Sequence, residues 1–411
     1  MPTFYNFREN GLDYSFDDIF VPADMFRDGN LLVWGSGNAG RLGDATITNK
    51  STPVTTSSGG TNWKQVSGGN NHMTAIKTDG TLWIWGTGGF GTLGNGATTG
   101  NISTPVTTFA GGNNWKQVSS GNNHTAAIKT DGTLWTWGLA SDGRLGNGAT
   151  AGNISTPVTT FAGGTNWKQV SCGGGHIAAI KTDGTLWTWG SNRQTVNEGS
   201  VVVRTQGQLG NAVTTLLTST PVTTFSGGTN WKQVSCGGYH TAAIKTDGTL
   251  WIWGSSQGYT VNTGGQLGNG QTIGGRSTPV TTFAGGNNWK QVNCGFTHTT
   301  GIKTDGTLWI WGYNFGGTLG NAVTTDRSTP VTTFAGGNNW KQVNAGGSCT
   351  AAIKTNGTLW TWGYGGQGRI GNASTTNVST PVTTFAGGTN WKQVSCGGGQ
   401  ASALTYIDPV I

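Results

Sequence analysis

One spacing constrains this chain more than any other feature: each serine that opens the string STPVTT stands 34 positions before the tryptophan of the next Trp-Gly pair, in all six intervals that can be measured. The serines are Ser51, Ser103, Ser155, Ser219, Ser277, Ser328 and Ser379, and the tryptophans are Trp34, Trp85, Trp137, Trp189, Trp253, Trp311 and Trp362. A third string, NWKQV, begins at Asn62, Asn114, Asn166, Asn230, Asn288, Asn339 and Asn390. Self-similarity of this kind means stacked supersecondary units, none of which can bury its apolar face alone. All length variation falls between the Trp-Gly pair and the next serine, where the gap is 17 or 18 residues in five units, 30 after Trp189 and 24 after Trp253. The invariant block reads as scaffold and the variable gap as loop.

Inside the block the chemistry is that of β-strands. HTAAIKT and TLWTWG, within His124 to Gly138, flank an Asp-Gly pair, a hairpin signal in which both central residues take positive φ. WKQVS and PVTTF add two runs rich in β-branched and aromatic residues, so each unit supplies about four strands. Proline cannot donate to a ladder, which places STPVTT at a sheet edge. Four-stranded units of about 50 residues predict an all-β fold, a seven-bladed β-propeller. The last unit ends at Ala403 to Tyr406 without its own DGTLW strand, and DGNLLVWG, Asp28 to Gly35, matches the missing piece. One blade is therefore expected to pair N- and C-terminal strands and close the ring without an open edge. The domain reading is an arm over 1–24 and a propeller over 25–411.

All 20 tryptophans belong to the pattern: seven in NWK, seven before the Trp-Gly glycine and six two residues earlier, where Leu32 replaces the seventh. Alternation along a strand puts Trp135 and Trp137 on one sheet face, where they can fill the space between blades.

HTAAIKTDGTLWIWG (His240 to Gly254) and GGQLGNG (Gly264 to Gly270) recur in order and in phase, and in this the chain resembles the repeat family of the regulator of chromosome condensation over about residues 26–405. The resemblance implies a seven-bladed propeller. The founding member of that family acts on a small GTPase and binds chromatin partly through a basic tail, so a GTPase exchange factor or chromatin-binding regulator is one implied function. The first 24 residues here instead carry Arg8 against Glu9, Asp13, Asp17, Asp18 and Asp24, a net charge of −4, the wrong sign for nucleic-acid phosphates. Blades this alike resemble the highly repetitive bacterial and bacteriophage versions.

The remaining residues carry a net charge of +11, but of 14 lysines seven lie in NWKQV and six in the IKT run, leaving Lys50 outside the pattern. That reads as rings of solvated charge and not as one nucleic-acid patch. His72, His124, His176, His240 and His298 share one repeat position, with Ser348 and Gln400 in the last two units, and read as structural residues, so no metal site is expected. Cys172, Cys236, Cys294 and Cys396 share a position that holds Gly68, Ser120 and Ala345 elsewhere, and Cys349 stands apart, which suits reduced, buried thiols. Asp79, Asp131, Asp183, Asp247 and Asp305 are turn residues, and the glycine-rich strings lack the strand-to-helix context of a phosphate cradle. No catalytic set, cofactor or metal is expected, and the chain reads as a non-enzyme.

Symmetry fails in two places. The long connections Ser191 to Leu217 and Ser255 to Gly275 belong to neighbouring units and should share one face, with Arg193, Gln194, Val201, Val202, Val203, Arg204, Tyr259 and Arg276 as candidate contacts. The arm gathers Phe4, Tyr5, Phe7, Tyr14, Phe16 and Phe20, with Phe26 just beyond it, and is read as a docking element. The expected function is a structural and binding propeller of a bacteriophage virion, a tail, fibre or surface component. Its arm would meet other virion proteins, and its loops a host-surface protein or glycan. A carbohydrate-binding lectin is the third reading. No apolar run is long enough to span a membrane, and the N-terminus lacks the basic start and apolar core of a Sec signal peptide, as befits a protein made in a host cytoplasm.

Overall fold

A computed structural model of the chain describes residues 28–198, 201–213, 215–257 and 264–407. Their strands form seven four-stranded antiparallel sheets and a separate two-stranded hairpin. Blade 1 shows the pattern: strand a is Trp63–Gly68, b is His72–Lys77, c is Leu82–Thr87 and d is Asn101–Thr107, hydrogen-bonded in that order. Blades 2 to 6 repeat it from Trp115, Trp167, Trp231, Trp289 and Trp340. Each a strand lies beside the a strands of both neighbouring blades, so the NWKQV segments line the axis and the STPVTT strands form the rim.

Blade 7 joins the two ends of the chain. Its a and b strands are Trp391–Cys396 and Gln400–Tyr406, and its c and d strands are Asp28–Gly35 and Lys50–Thr55. Leu31 pairs with Leu404 and Trp34 with Ala401. The closure expected from the truncated last unit is as found.

The b–c turn differs from the expectation in one respect. Lys77 N donates to Thr81 O and Gly80 N to Lys77 O, both at 3.0 Å, making a three-residue loop in which Gly80 takes φ 82° and Asp79 does not take positive φ. Asp79 Oδ1 accepts from the Thr81 amide at 2.9 Å and its hydroxyl at 2.7 Å, an Asx-turn role that needs no left-handed backbone. Glycine is required at position 80 because a Cβ there would lie 2.0 Å from the carbonyl oxygen of Asn113 in the connection to blade 2.

Tryptophans weld each blade to the next. Trp137 of blade 2 is fully buried with Ile84 and Leu93 of blade 1, and its indole N–H donates to the Thr92 carbonyl at 2.9 Å. Trp115 of the same blade meets both Trp137 and Trp135 edge-on at 6.4 Å, and Trp135 packs, half-buried, against the cluster that Trp137 shares with blade 1. The Lys129 ammonium sits 4.6 Å over Trp135, and equivalent contacts engage the IKT lysines Lys77, Lys181, Lys245, Lys303 and Lys354. Near the axis a glutamine clamps each neighbour: Gln65 Nε2 donates to Val118 O and Val118 N donates to Gln65 Oε1, both at 3.1 Å. Gln393 makes the same pair of bonds to Val66 and completes the circle.

Blade 3 departs from the repeat. Between its c strand, Leu186–Ser191, and its d strand, Leu217–Thr223, the segments Arg193–Glu198 and Val201–Gln206 pair as an antiparallel hairpin where a loop was expected. Both segments carry the β-branched residues such pairing favours. The second of them lies beside strands c and d of blade 4.

Candidate functional site

In an up-and-down blade the a–b and c–d connections emerge on one face, here called the loop face, and the b–c turns and d–a connections on the other. At the axis of the loop face is a narrow opening of about 80 Å³ walled by residues such as Gly68, Ser120, Cys172 and Cys396. Seven converging strands leave room only for small side chains there, which explains the shared cysteine position. All five cysteines are free and buried, and burial pushes the Cys236 thiol up to about 12.

A larger cleft of about 310 Å³ opens among blades 2, 3 and 4. Its walls include Asn122 and Asn123 from the a–b turn of blade 2, Asp142 and Arg144 from the turn after strand c, Arg193 at the foot of the hairpin, and Gln208 and Tyr239. Asp142 takes φ 61°, a left-handed conformation that aspartate tolerates better than most residues. It is held between two guanidiniums, with Oδ2 3.4 Å from Arg144 Nη2 and Oδ1 3.2 Å from Arg193 Nη2. Burial lowers the pKa of Arg144, and Asp142 opposes the shift. Gln208 Nε2 donates to the Arg193 carbonyl at 2.8 Å, while its Oε1 is buried and, among the described residues, has no partner. Tyr239 packs edge-on against Phe296 at 5.3 Å, and burial raises its pKa. Ser191 Oγ donates to the Arg193 carbonyl at 3.5 Å, not to a base.

Of the candidate contacts read from sequence, Arg193 lines this cleft. Arg276 does not: it is half-buried in strand d of blade 4, paired with Gly254. Tyr259 and the side chains of Gln194, Val201, Val202, Val203 and Arg204 lie outside the described residues, as do Phe4, Tyr5, Phe7, Tyr14, Phe16 and Phe20. Sequence reasoning missed Asp142, Arg144, Tyr239 and the asparagines. One signal was available, since Asp142 stands where the equivalent turns carry Ala39, Phe90, Gly316 and Gln367.

The histidines are spent on structure. His176 Nε2 lies 2.8 Å from Thr241 Oγ1, and that hydroxyl donates to the Gln208 carbonyl at 2.9 Å, so the imidazole is the donor, and burial, which lowers its pKa to about 3, keeps it neutral. His72, His240 and His298 meet Thr125, Thr299 and Thr350 in the same way. His124 is the exception: both its ring nitrogens are buried without partners, because the next blade offers Ile177 where the others offer threonine. Register also corrects the sequence alignment. Cys349 pairs with Gly363 as His298 pairs with Gly312, so Cys349, and not Ser348, occupies the histidine position of blade 6. Among the described residues no group of three or more His, Cys, Asp or Glu is placed to hold a metal ion.

A closed ring of uniform blades with an asymmetric polar cleft among its connections is a propeller scaffold, a class in which recognition concentrates in the loops that a rigid frame carries. The chain belongs to the RCC1-like domain family, whose sequence model matches residues 30–404. It is similar to the ultraviolet-B receptor UVR8 of Arabidopsis thaliana, at 30% identity over 345 residues covering 83% of this chain and 74% of that one. It is also similar to the mitochondrial RCC1 domain-containing protein RUG3 of the same plant, at 27% over 310 residues, 75% and 67% of the two chains. Among solved structures, Prp20p of Saccharomyces cerevisiae superposes with a TM-score of 0.75 at 20% identity over 93% of this chain and 92% of that one. Human WBSCR16 gives 0.76 at 19%, over 92% and 98%. At such identities the structural likeness speaks to the fold alone.

Proposed function

We propose that the chain is a non-catalytic binding module that holds a segment of a protein partner in the cleft among blades 2, 3 and 4. The observation that supports this is the local break in repeat symmetry. There Asp142 is flanked by Arg144 and Arg193, with the buried, unpartnered Gln208 Oε1 beside them. Rigid walls with fixed donors and acceptors favour recognition at low ordering cost. A carboxylate engaged by two guanidiniums and a serine donating to a backbone carbonyl support binding over catalysis.

The near-identity of the blades, down to HTAAIKTDGTLW shared by blades 2 and 4, supports a finer reading: a place in a bacteriophage particle as a tail, fibre or surface component, made in the host cytoplasm, with the arm toward other virion proteins and the loop face toward the host. The relatives named above come from plants, yeast and human and do not bear on that placement. Prp20p binds Gsp1p and histones, which keeps the GTPase or chromatin reading as the alternative.

The test is quantitative affinity capture with the full chain, an Asp142→Ala/Arg193→Ala variant, and a Lys64→Glu control, Lys64 lying at the opposite end of strand a from the loop face. A partner lost by the cleft variant and kept by the control supports the reading. If every partner is kept by the cleft variant, the cleft is not the docking site.

A further inference from the structure

Arg41, Arg144 and Arg369 occupy one repeat position, in the runs NAGRLG, SDGRLG and GQGRIG. Arg144 receives a carboxylate from two positions earlier, Asp142. That position holds Ala39 before Arg41 and Gln367 before Arg369, and among the described residues neither arginine forms an ion pair. The two uncompensated arginines stand in adjacent blades, 7 and 6, and converge on the a–b loop of blade 7. Arg369 Nη1 donates to Gly398 O at 3.1 Å, and Arg41 Nη1 lies 3.3 Å from where a Cβ on Gly399 would stand. Arg369 is 8% exposed, lies 4.7 Å over the Tyr364 ring, and spends Nη2 on the neutral Gln367 Oε1 at 3.1 Å. Arg41 donates through Nε to Asn38 O and through Nη1 to Asn70 O, and among the described residues its Nη2 has no partner. Burial, and then the charge of Arg369, lower the pKa of Arg41.

Removing a guanidinium from water without a counter-charge is costly, and a second like charge beside it adds repulsion. An anion between the two relieves both, and the guanidinium fork suits planar or tetrahedral oxyanions. We propose that Arg41 and Arg369 form a receptor for an oxyanion, a carboxylate or phosphate group, presented at the loop face. The site lies on blades 6 and 7, away from the Asp142 cleft, and stands whether or not that cleft binds protein.

The protein carries its own control. Ala39 and Gln367 take φ 59° and 65°, close to the 61° of Asp142, so Ala39→Asp and Gln367→Asp place the missing carboxylate on a backbone that accepts it. The full chain is titrated calorimetrically at constant ionic strength with sodium phosphate, a phosphoserine peptide and a tetraglutamate peptide, with chloride as the blank. Saturable binding of at least one probe is expected, weakened roughly tenfold or more in each Asp variant and in Arg369→Gln, and retained in Asp142→Asn. Tighter binding of a peptide than of free phosphate assigns the oxyanion to a partner chain, and equal binding assigns it to the free ion. The proposal is overturned if no probe binds the wild-type chain, or if the Asp variants melt like wild type and bind as tightly.

Discussion

His176, His240 and His298 are held near a pKa of 3, and His72 near 4, by burial, well below the 6.5 of a free imidazole. The unfolded chain therefore binds more protons than the folded one between about pH 6.5 and those values. Stability from these groups is fully present above pH 6.5 and is lost as the pH falls toward the folded pKa, with a slope of about 1.4 kcal/mol per pH unit for each histidine. Blade 7 shows the neutral substitute: Gln400 Nε2 donates to Gly69 O at 3.0 Å from the same position. Denaturant unfolding of His240→Gln between pH 7 and 4 should lose one histidine's share of the slope, and an unchanged slope would show that His240 titrates normally. His124 behaves differently because it has no hydrogen bond to lose. His124→Gln should cost less stability than His240→Gln, and in an Ile177→Thr background its cost should rise by about 1 kcal/mol. A double-mutant cycle on unfolding free energies measures that coupling, and a coupling of zero removes the threonine from the account.

Strands were legible wherever their chemistry is local. The Asp-Gly turns, the proline-marked rim strands and the Trp-x-Trp alternation each carry a period that needs no knowledge of neighbours. The cleft was not legible, because Asn122, Asp142, Gly174 and Tyr239 are brought together by three blades meeting side by side, a relation that sequence order does not express. The hairpin was hidden for a different reason: its length reads as a loop unless the pairing of Val196 with Val203 is known. Its attachment predicts its energetics. Gly207 N donates to the Asn192 carbonyl at 3.4 Å and to its side-chain oxygen at 3.2 Å, so the chain already closes at the hairpin base. Beyond that base, Ser191 pairs with Leu217, and Trp253 donates to the Gln208 carbonyl at 2.9 Å. Excising residues 193–206 with a single-glycine bridge removes the Arg193–Asp142 ion pair, the carbonyl that the buried Gln208 amide donates to and the contact with strands c and d of blade 4, and should cost about 1–3 kcal/mol. Thermal unfolding reads this directly, and a larger loss would mean that the hairpin is part of blade packing.

A solenoid of near-identical units can add repeats without limit, but a ring must end where it began, and here the end is a joint between distant parts of one chain. Trp34 fills the space between blades 6 and 7 with Leu359 and Ile370, and its indole donates to the Arg369 carbonyl at 3.0 Å. The b strand of blade 7 has no partner on its outer side except Asp28–Gly35. Removing residues 1–36 therefore exposes a b-strand edge, empties the Trp34 pocket and strands the rim segment Lys50–Thr55. A chain stabilised by nearest-neighbour contacts then has two open faces where it had none. The single cooperative melt should be lost or fall by at least about 10 °C, and a control lacking only residues 1–24 separates the strand from the arm. Closure is a matter of contacts and not of where the chain begins. Asp28 already pairs with Tyr406, so a circular permutant that links these ends and opens the c–d connection of blade 2 between Gly148 and Ala149 should melt close to the parent. A permutant that melts as low as the truncation would show that the position of the joint, and not the completeness of the ring, sets the stability.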